Sequence, residues 1–277
     1  MPEGPEVKSL VDWLNTKIKN KKLNKLIINN GRYKRQSIKN LNKIIFPLNV
    51  ESVNCKGKFI YILFKNSDYV MYNTLGMTGW WFDSKYDKHD NIELKLNNNS
   101  IYFNDFRNFG TIMFDTKENL KKKLKTLGAD IVDPKNINIF KERLERKRND
   151  TMIGTALLDQ KVASGCGNYL RAECLYIAKI NPYKKIKELS NNDIEMIWDI
   201  LVQLFWTYYN MNKGIKMKLI NKKYTLYRKF VKSGPSKYKP SEDTFLVYRQ
   251  QKDPYGNNVT SEDMNGRTIH YVKKLQR

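Results

Sequence analysis

The hydrophobic pattern of this 277-residue chain changes period near its middle, and that change limits the folds open to it. In the first half, apolar residues come in short alternating or β-rich runs: Leu26 to Ile28, Val50 to Val53, Phe59 to Phe64, Tyr69 to Tyr72, Ile92 to Leu96, Ile101 to Phe103 and Thr111 to Phe114. Asn-Gly, Lys-Gly and Asn-Ser pairs punctuate them. Short strands with little helix between them predict an antiparallel sandwich. One helix precedes them, because Val7, Leu10, Val11, Leu14 and Ile18 recur at helical spacing from Pro5 to about Lys19. Leu127-Gly128-Ala129-Asp130 and Asp133-Pro134 mark the junction. Beyond it the period turns helical over Ile139 to Arg148, Met152 to Leu158, Tyr169 to Ala178 and Asn192 to Tyr209, with a strongly basic helix expected over Met211 to Arg228. The tail reads as a strand from Phe245 to Tyr248, a turn from Asp253 to Gly256 and a strand from Thr268 to Val272. The expectation is an α+β protein: an N-terminal helix and antiparallel β-sandwich over residues 1–133, then a helical domain with a terminal β-hairpin over residues 134–277.

Charge sets the partner class. Fifty-one Lys and Arg against 28 Asp and Glu give a net charge of +23, which attracts polyanions through the summed field and counterion release. A merely lysine-rich protein carries the same charge, so composition alone leaves nucleic acid as one of two readings. No apolar run spans a bilayer and the opening does not read as a signal peptide, so an intracellular protein is expected. Cys55, Cys166 and Cys174 form no paired framework and no metal-binding spacing. His89 and His270 cannot form a metal cluster by themselves, so neither metal nor cofactor is expected.

The opening, Met1-Pro2-Glu3-Gly4-Pro5-Glu6-Val7, carries the sharpest chemistry. If Met1 is trimmed, Pro2 presents a secondary amine beside the Glu3 carboxylate. An α-amino group titrates near ~8, far below lysine, so part of it is nucleophilic at neutral pH. Condensed with an aldehyde it gives a charged iminium, an electron sink, and Glu3 is placed to shuttle protons. The alternative is that Pro2 and Pro5 only start a helix.

Five further stretches bear on ligand contact. In Lys56-Gly57-Lys58-Phe59 a turn feeds a strand, and Lys58 can point into a cleft. Asn73-Thr74-Leu75-Gly76-Met77-Thr78-Gly79 and Asp105-Phe106-Arg107-Asn108-Phe109-Gly110 are Gly-terminated loops carrying Met77, Arg107 and Phe109. Such side chains either wedge into a base stack or pack as core at strand ends. In Asp159 to Tyr169, Lys161 precedes Gly165 and Gly167, which allow backbone approach to a phosphate, and Asn168 opens a helix whose first amides favour an anion. Arg267, in Gly266-Arg267-Thr268, either grips a phosphate from a hairpin tip or is solvated.

These residues together resemble the formamidopyrimidine-DNA glycosylase/endonuclease VIII (Fpg/Nei) family over nearly the full chain. The likeness rests on Pro2 to Val7, Gly57-Lys58, Leu75 to Gly79, Asp105 to Gly110, Leu158 to Lys161 with Gly165 to Tyr169, and Ile180-Asn181-Pro182. The resemblance implies a bifunctional glycosylase/AP lyase of base excision repair with a helix-two-turn-helix element. Its partner would be double-stranded DNA containing oxidised bases or abasic sites, met as a monomer without cofactor. It implies Pro2 as nucleophile and Schiff-base former, Glu3 as general acid/base, and Lys58 on the phosphate beside the lesion. Asn168 and Arg267 would clamp flanking phosphates, Met77, Arg107 and Phe109 would fill the void left by the flipped base, and Glu6 would support the site. His89 and Lys161 are further candidate DNA contacts.

Two departures stand out. The family usually ends in a four-cysteine zinc finger, but Tyr248 to Tyr271 holds no cysteine and resembles the zincless finger of some Nei-like enzymes, with a composition suited to a giant-virus member. A viral enzyme would work in a cytoplasmic factory or the nucleus. Thr74 stands where many relatives have histidine. The zincless type implies oxidised pyrimidines and hydantoins as substrates. The alternatives are an 8-oxoguanine or formamidopyrimidine preference, an inactive DNA-binding module of the same fold, and a basic RNA-binding protein.

Overall fold

The structure, a computed structural model, describes residues 2–148, 150–212, 218–221, 224–227 and 245–277. The chain forms two compact units, one of residues 2 and 6–126, the other of residues 3–5 and 127–277.

In the first unit, helix α1 (Gly4–Ile18) buries the expected stripe of Val7, Leu10, Val11, Leu14 and Ile18. Eight strands follow: β1 (Lys22–Ile28), β2 (Leu48–Lys56), β3 (Phe59–Phe64), β4 (Tyr69–Thr74), β5 (Trp80–Phe82), β6 (Asp90–Leu96), β7 (Ser100–Asn104) and β8 (Thr111–Thr116). They pair antiparallel in the order β5-β7-β6-β1-β2-β3-β4-β8. The β1–β2 seam is short, only Lys22↔Asn49 and Leu23↔Leu48, and divides the sheet into two four-stranded halves. Apolar side chains of both halves, such as Leu94 and Phe103 on one and Ile62 and Phe114 on the other, share one core with α1, which makes the sandwich. Helix α2 (Lys117–Thr126), absent from the sequence reading, ends the unit with Leu120 as its one buried residue.

The second unit begins where Leu127-Gly128-Ala129 leaves for the segment around Val162. The Gly128 N–H donates to the Gln160 carbonyl at 2.9 Å, and β9 (Ala129–Asp130) pairs parallel with β10 (Ala163–Ser164). A side chain at position 128 would press on the Lys161 and Val162 backbone at about 2.5 Å, so glycine is required. Helices α3 (Ile137–Glu145), α4 (Ile153–Ala156), α5 (Asn168–Ala178) and α6 (Asn191–Asn212) enclose a core that includes Phe140, Leu170, Trp198, Phe205 and Tyr208.

Two expectations fail. The helix expected over Met211 to Arg228 stops with α6 at Asn212, and β11 (Lys218–Asn221) pairs antiparallel with β12 (Tyr224–Tyr227). The sequences Lys-Leu-Ile-Asn and Tyr-Thr-Leu-Tyr lack an i, i+3, i+4 apolar stripe and are rich in residues that favour strands. The remainder of that stretch lies outside the described residues. Phe245 to Tyr248 is not a strand either. The terminal hairpin pairs β13 (Thr260–Asp263) with β14 (Thr268–Tyr271), from Thr260↔Tyr271 to Asp263↔Thr268. The amides at 246–248 go instead to a buried carboxylate on α5.

Candidate functional site

Glu3 is 2 % exposed, and α5 explains why it tolerates burial. Its carboxylate accepts the Tyr169 N–H at 2.9 Å and the Leu170 N–H at 3.2 Å, two of the unpaired amides of the first turn of α5. The sequence leads one to expect an anion at those amides; the structure supplies the chain's own Glu3. The glycines serve the same contact. A Cβ on Gly167 would lie 2.2 Å from the Glu3 carboxyl carbon, and the Gly4 N–H donates to the Gly165 carbonyl at 2.9 Å. Pro2, half-buried, precedes Glu3 by one peptide bond. Glu6 is 2 % exposed on α1.

The loop leading to α5 is braced from within. The Gln160 amide accepts the Gly165 N–H at 3.0 Å and donates to the Cys166 carbonyl at 2.8 Å. Lys161 is exposed, its N–H bound to the Asp159 carboxylate at 2.8 Å. Burial opposes charge on Asp159, but hydrogen bonds from Lys147 and the Lys161 amide hold its carboxyl below the usual range.

Asn168, the first residue of α5, meets the terminal hairpin. Its Nδ2 donates to the Thr268 carbonyl at 2.8 Å. The tip is a two-residue turn in which Asn265 and Gly266 take φ of 54° and 75°, while Met264 and Arg267 exchange backbone hydrogen bonds of 2.9 and 3.2 Å. Arg267 sits exposed at the end of that turn. Behind it, Glu173 of α5 is fully buried and accepts the N–H groups of Leu246, Val247 and Tyr248 at 2.7–2.9 Å, which is why that segment cannot join a sheet.

In the first unit, Lys58 is half-buried at the β2–β3 turn, where Gly57 has φ of 56°. The two Gly-terminated loops come together on one carboxylate. Asp105, 1 % exposed, accepts the Thr78 hydroxyl at 2.5 Å and the Gly110 N–H at 2.6 Å. The Arg107 N–H donates to the same Thr78 oxygen at 3.1 Å. A Cβ on Gly76, at φ 60°, would meet the Phe109–Gly110 backbone at about 2.6 Å, so the loops approach as closely as glycine permits. Met77 is half-buried; Arg107 and Phe109 are exposed, with the guanidinium 4.7 Å from the ring centroid. The reading of Phe109 as a core residue is thereby excluded. His89 stands edge-on to exposed Phe106 at 4.9 Å.

Comparison with known proteins fixes the family. Three family models tile the chain: the formamidopyrimidine-DNA glycosylase N-terminal domain over residues 1–112, its H2TH domain over 118–221 and its C-terminal domain over 236–277. A formamidopyrimidine-DNA glycosylase of Wolbachia from Drosophila simulans is 30% identical over 212 residues, covering 71% of this chain and 74% of its own. The chain belongs to the formamidopyrimidine-DNA glycosylase family. Its counterpart in Wolbachia from Brugia malayi is 27% identical with full coverage of both chains. Among solved structures, wild-type Lactococcus lactis Fpg (MutM) in complex with an oxidised-pyrimidine DNA matches over the full length of both chains at TM-score 0.79 and 21% identity. MutM with carbocyclic 8-oxo-G DNA matches with the same coverage at TM-score 0.80 and 20% identity. The fold is therefore that of Fpg, and the chain is an Fpg-type DNA glycosylase of base excision repair.

The four-cysteine zinc finger with which the family usually ends does not fit this Fpg-type chain. Residues 245–277 contain no cysteine. Among the described residues no group of three His, Cys, Asp or Glu could hold a metal. Burial lowers the His270 pKa, and the neighbouring charges of Arg249 and Arg171 lower it further, an environment hostile to a cation. The Asp253 oxygens accept the Tyr255 and Asn257 amides, the Asn257 side chain and the Tyr176 hydroxyl, all within 2.9 Å. Leu246, Val247, Met264, Ile269, Tyr271 and Val272 pack the hairpin against Ala172 and Tyr176 of α5.

Sequence reasoning included Thr78, Asp105 and Gln160 in its motifs without giving them a role, and passed over Arg171 and Glu173. Arg171 stands three residues after the helix-opening Asn168 and hence on the same helical face, but nothing in the sequence distinguishes it from a solvated helix charge.

Proposed function

We propose that this glycosylase is bifunctional and works through an N-terminal proline Schiff base. The Pro2 amine attacks C1′ of the damaged nucleotide and displaces the base. The resulting iminium acidifies the adjacent sugar carbon, and the two flanking phosphates leave in turn by β,δ-elimination. Glu3 is the general acid/base. The observation carrying this reading is the Glu3 carboxylate itself, buried beside Pro2 and held by two α5 amides. A carboxylate so fixed costs little reorganisation when a proton moves.

Lys58, Asn168 and Arg267 contact the phosphates around the lesion. Met77, Arg107 and Phe109 fill the space vacated by the flipped base, a reading supported by the anchoring of their two loops on Asp105 through Thr78 and Gly110. His89 and Lys161 make peripheral backbone contacts, and Glu6 supports the N-terminus. The partner is duplex DNA carrying oxidised bases or abasic sites, met by a monomer at intracellular DNA. The cysteine-free finger favours oxidised pyrimidines and hydantoins. A preference for 8-oxoguanine or formamidopyrimidine is the second reading, in line with the MutM relative bound to carbocyclic 8-oxo-G DNA.

Gel cleavage across a panel of lesion duplexes tests this. Scission leaving phosphate on both sides of the gap is expected, strongest for hydantoins and oxidised pyrimidines. Binding without scission would identify an inactive module, and displacement of lesion duplex by equimolar RNA would favour an RNA-binding protein.

A further inference from the structure

Arg171 is fully buried, yet no step proposed above uses it. It lies on α5, one turn after Asn168. Its Nη2 donates to the Asn168 Oδ1 and, at 3.1 Å, to the Thr268 carbonyl. Its Nη1 reaches the Gly154 carbonyl at 3.2 Å and the Met264 sulfur at 3.7 Å. Among the described residues, Nε has no hydrogen-bond partner. A buried guanidinium is expensive unless its hydrogen bonds are used. Here they converge on the start of α5 and the two strand ends that carry the hairpin tip.

That convergence bears on Asn168. With Oδ1 bound to Arg171 and Nδ2 bound to Thr268, the amide is fixed in one of its two flip states. Nδ2 then keeps a second hydrogen for an outside acceptor. Thr268, whose carbonyl takes both donors, directly follows Arg267. One carbonyl thus ties the position of the asparagine to that of the arginine.

We propose that Arg171 is a positioning residue that locks Asn168 and Arg267 into a single phosphate grip, serving in this cysteine-free finger the purpose that bound metal serves in a zinc finger. This rests on the phosphate-contacting roles proposed above for Asn168 and Arg267. Burial brings the guanidinium down to about 10, which leaves it charged at neutral pH. Lysine offers a point charge rather than a planar fork and cannot bridge Asn168, Thr268 and Gly154 together.

The test uses the full chain with two variants, Arg171→Met, close in length and apolar, and Arg171→Lys. Affinity for a duplex carrying a tetrahydrofuran abasic analogue should fall by about tenfold or more in both, the size of one lost charged hydrogen bond. Covalent trapping on an abasic duplex at saturating DNA should stay within about twofold of wild type, because the Pro2 chemistry is untouched. Adding Arg171→Met to Asn168→Ala should cost far less than it does alone. A second cycle needs no change at Arg171: Asn168→Ala and Arg267→Ala combined should lose less affinity than the sum of the two. Wild-type affinity in a folded Arg171→Met, or additive losses in the second cycle, would overturn the proposal. Failure of the wild-type protein to trap at all would instead strike the Schiff-base reading.

Discussion

The two units hold their candidate site residues by different means. In the first, antiparallel ladders deliver the loops, and a single carboxylate, Asp105, ties loop 75–79 to loop 105–110. In the second, buried charged groups do most of the holding: Glu3 on the α5 amides, Arg171 on Asn168 and Thr268, Glu173 on three amides, Asp253 within its own turn. A sheet spreads its stability over many similar contacts, whereas a buried charge stripped of partners costs several kcal/mol at one point. The second unit should therefore be the more brittle to single substitutions.

The largest effect should come from Glu173→Ala, which orphans the buried amides of Leu246 and Val247 and the half-buried amide of Tyr248. Unfolding free energy should drop by about 3–5 kcal/mol in urea titration, with Glu173→Gln losing less because it keeps one acceptor. A loss below about 1 kcal/mol would erase the contrast between the units.

Next comes Arg267→Ala. Its side chain is exposed, so the melting temperature should hold while affinity for lesion duplex falls by about 1.5–3 kcal/mol in anisotropy titrations. Lys273, paired with Glu262 at 2.8 Å, should on removal change mainly the salt dependence. Equal losses at both positions, with equal salt slopes, would reduce the hairpin tip to a diffuse basic patch.

Asp105→Asn sharpens the comparison from the other unit. The amide oxygen can still accept the Gly110 N–H, but the Thr78 hydroxyl then faces an N–H donor, so the charge is lost and that hydrogen bond must reverse. Excision from a lesion duplex should slow by about 1–2 kcal/mol in kcat/KM, with strand cleavage at a preformed abasic site less affected because no base must be extruded. Equal slowing on both substrates would mean that Asp105 supports the fold rather than the loops' wedging role.

The smallest effect is a pH dependence. Burial, with Arg249 and Arg171 nearby, lowers the His270 pKa in the folded protein below 6.5, so the unfolded chain binds the proton more readily. The stability tied to a neutral His270 is whole above pH ~6.5 and drains away as pH falls below it. Melting temperatures between pH 5 and 7.5 should show this fall, and His270→Phe should flatten it.

Much of the first unit was legible because its strands alternate and its turns carry glycine and asparagine. β3 matches its predicted span, Phe59 to Phe64, and β6 and β8 differ from theirs only at the ends. Helix α2 escaped notice because Lys-Glu-Asn-Leu-Lys-Lys-Lys-Leu-Lys-Thr offers only two leucines as a stripe. Residue types and spacing singled out Pro2, Glu3, Asn168 and the paired loops as candidates. The partners that fix them were hidden, because Glu173 and Arg171 look like ordinary charges in a helix until residues from 246 to 268 fold back on them. For the same reason Phe245 to Tyr248 was misread as a strand: its composition suits one, but its amides are already taken.

The central claim is that the Pro2 nitrogen attacks the sugar while Glu3 moves the proton. Borohydride reduction of the protein on an abasic or oxidised-base duplex, followed by peptide mapping of the adduct, tests it most directly. The adduct should map to the N-terminal peptide at Pro2. Retaining Met1 or adding an N-terminal tag should abolish it, and Pro2→Ala, still an amine, should slow it. An adduct on a lysine such as Lys58, or undiminished trapping with the terminus blocked, would contradict the account.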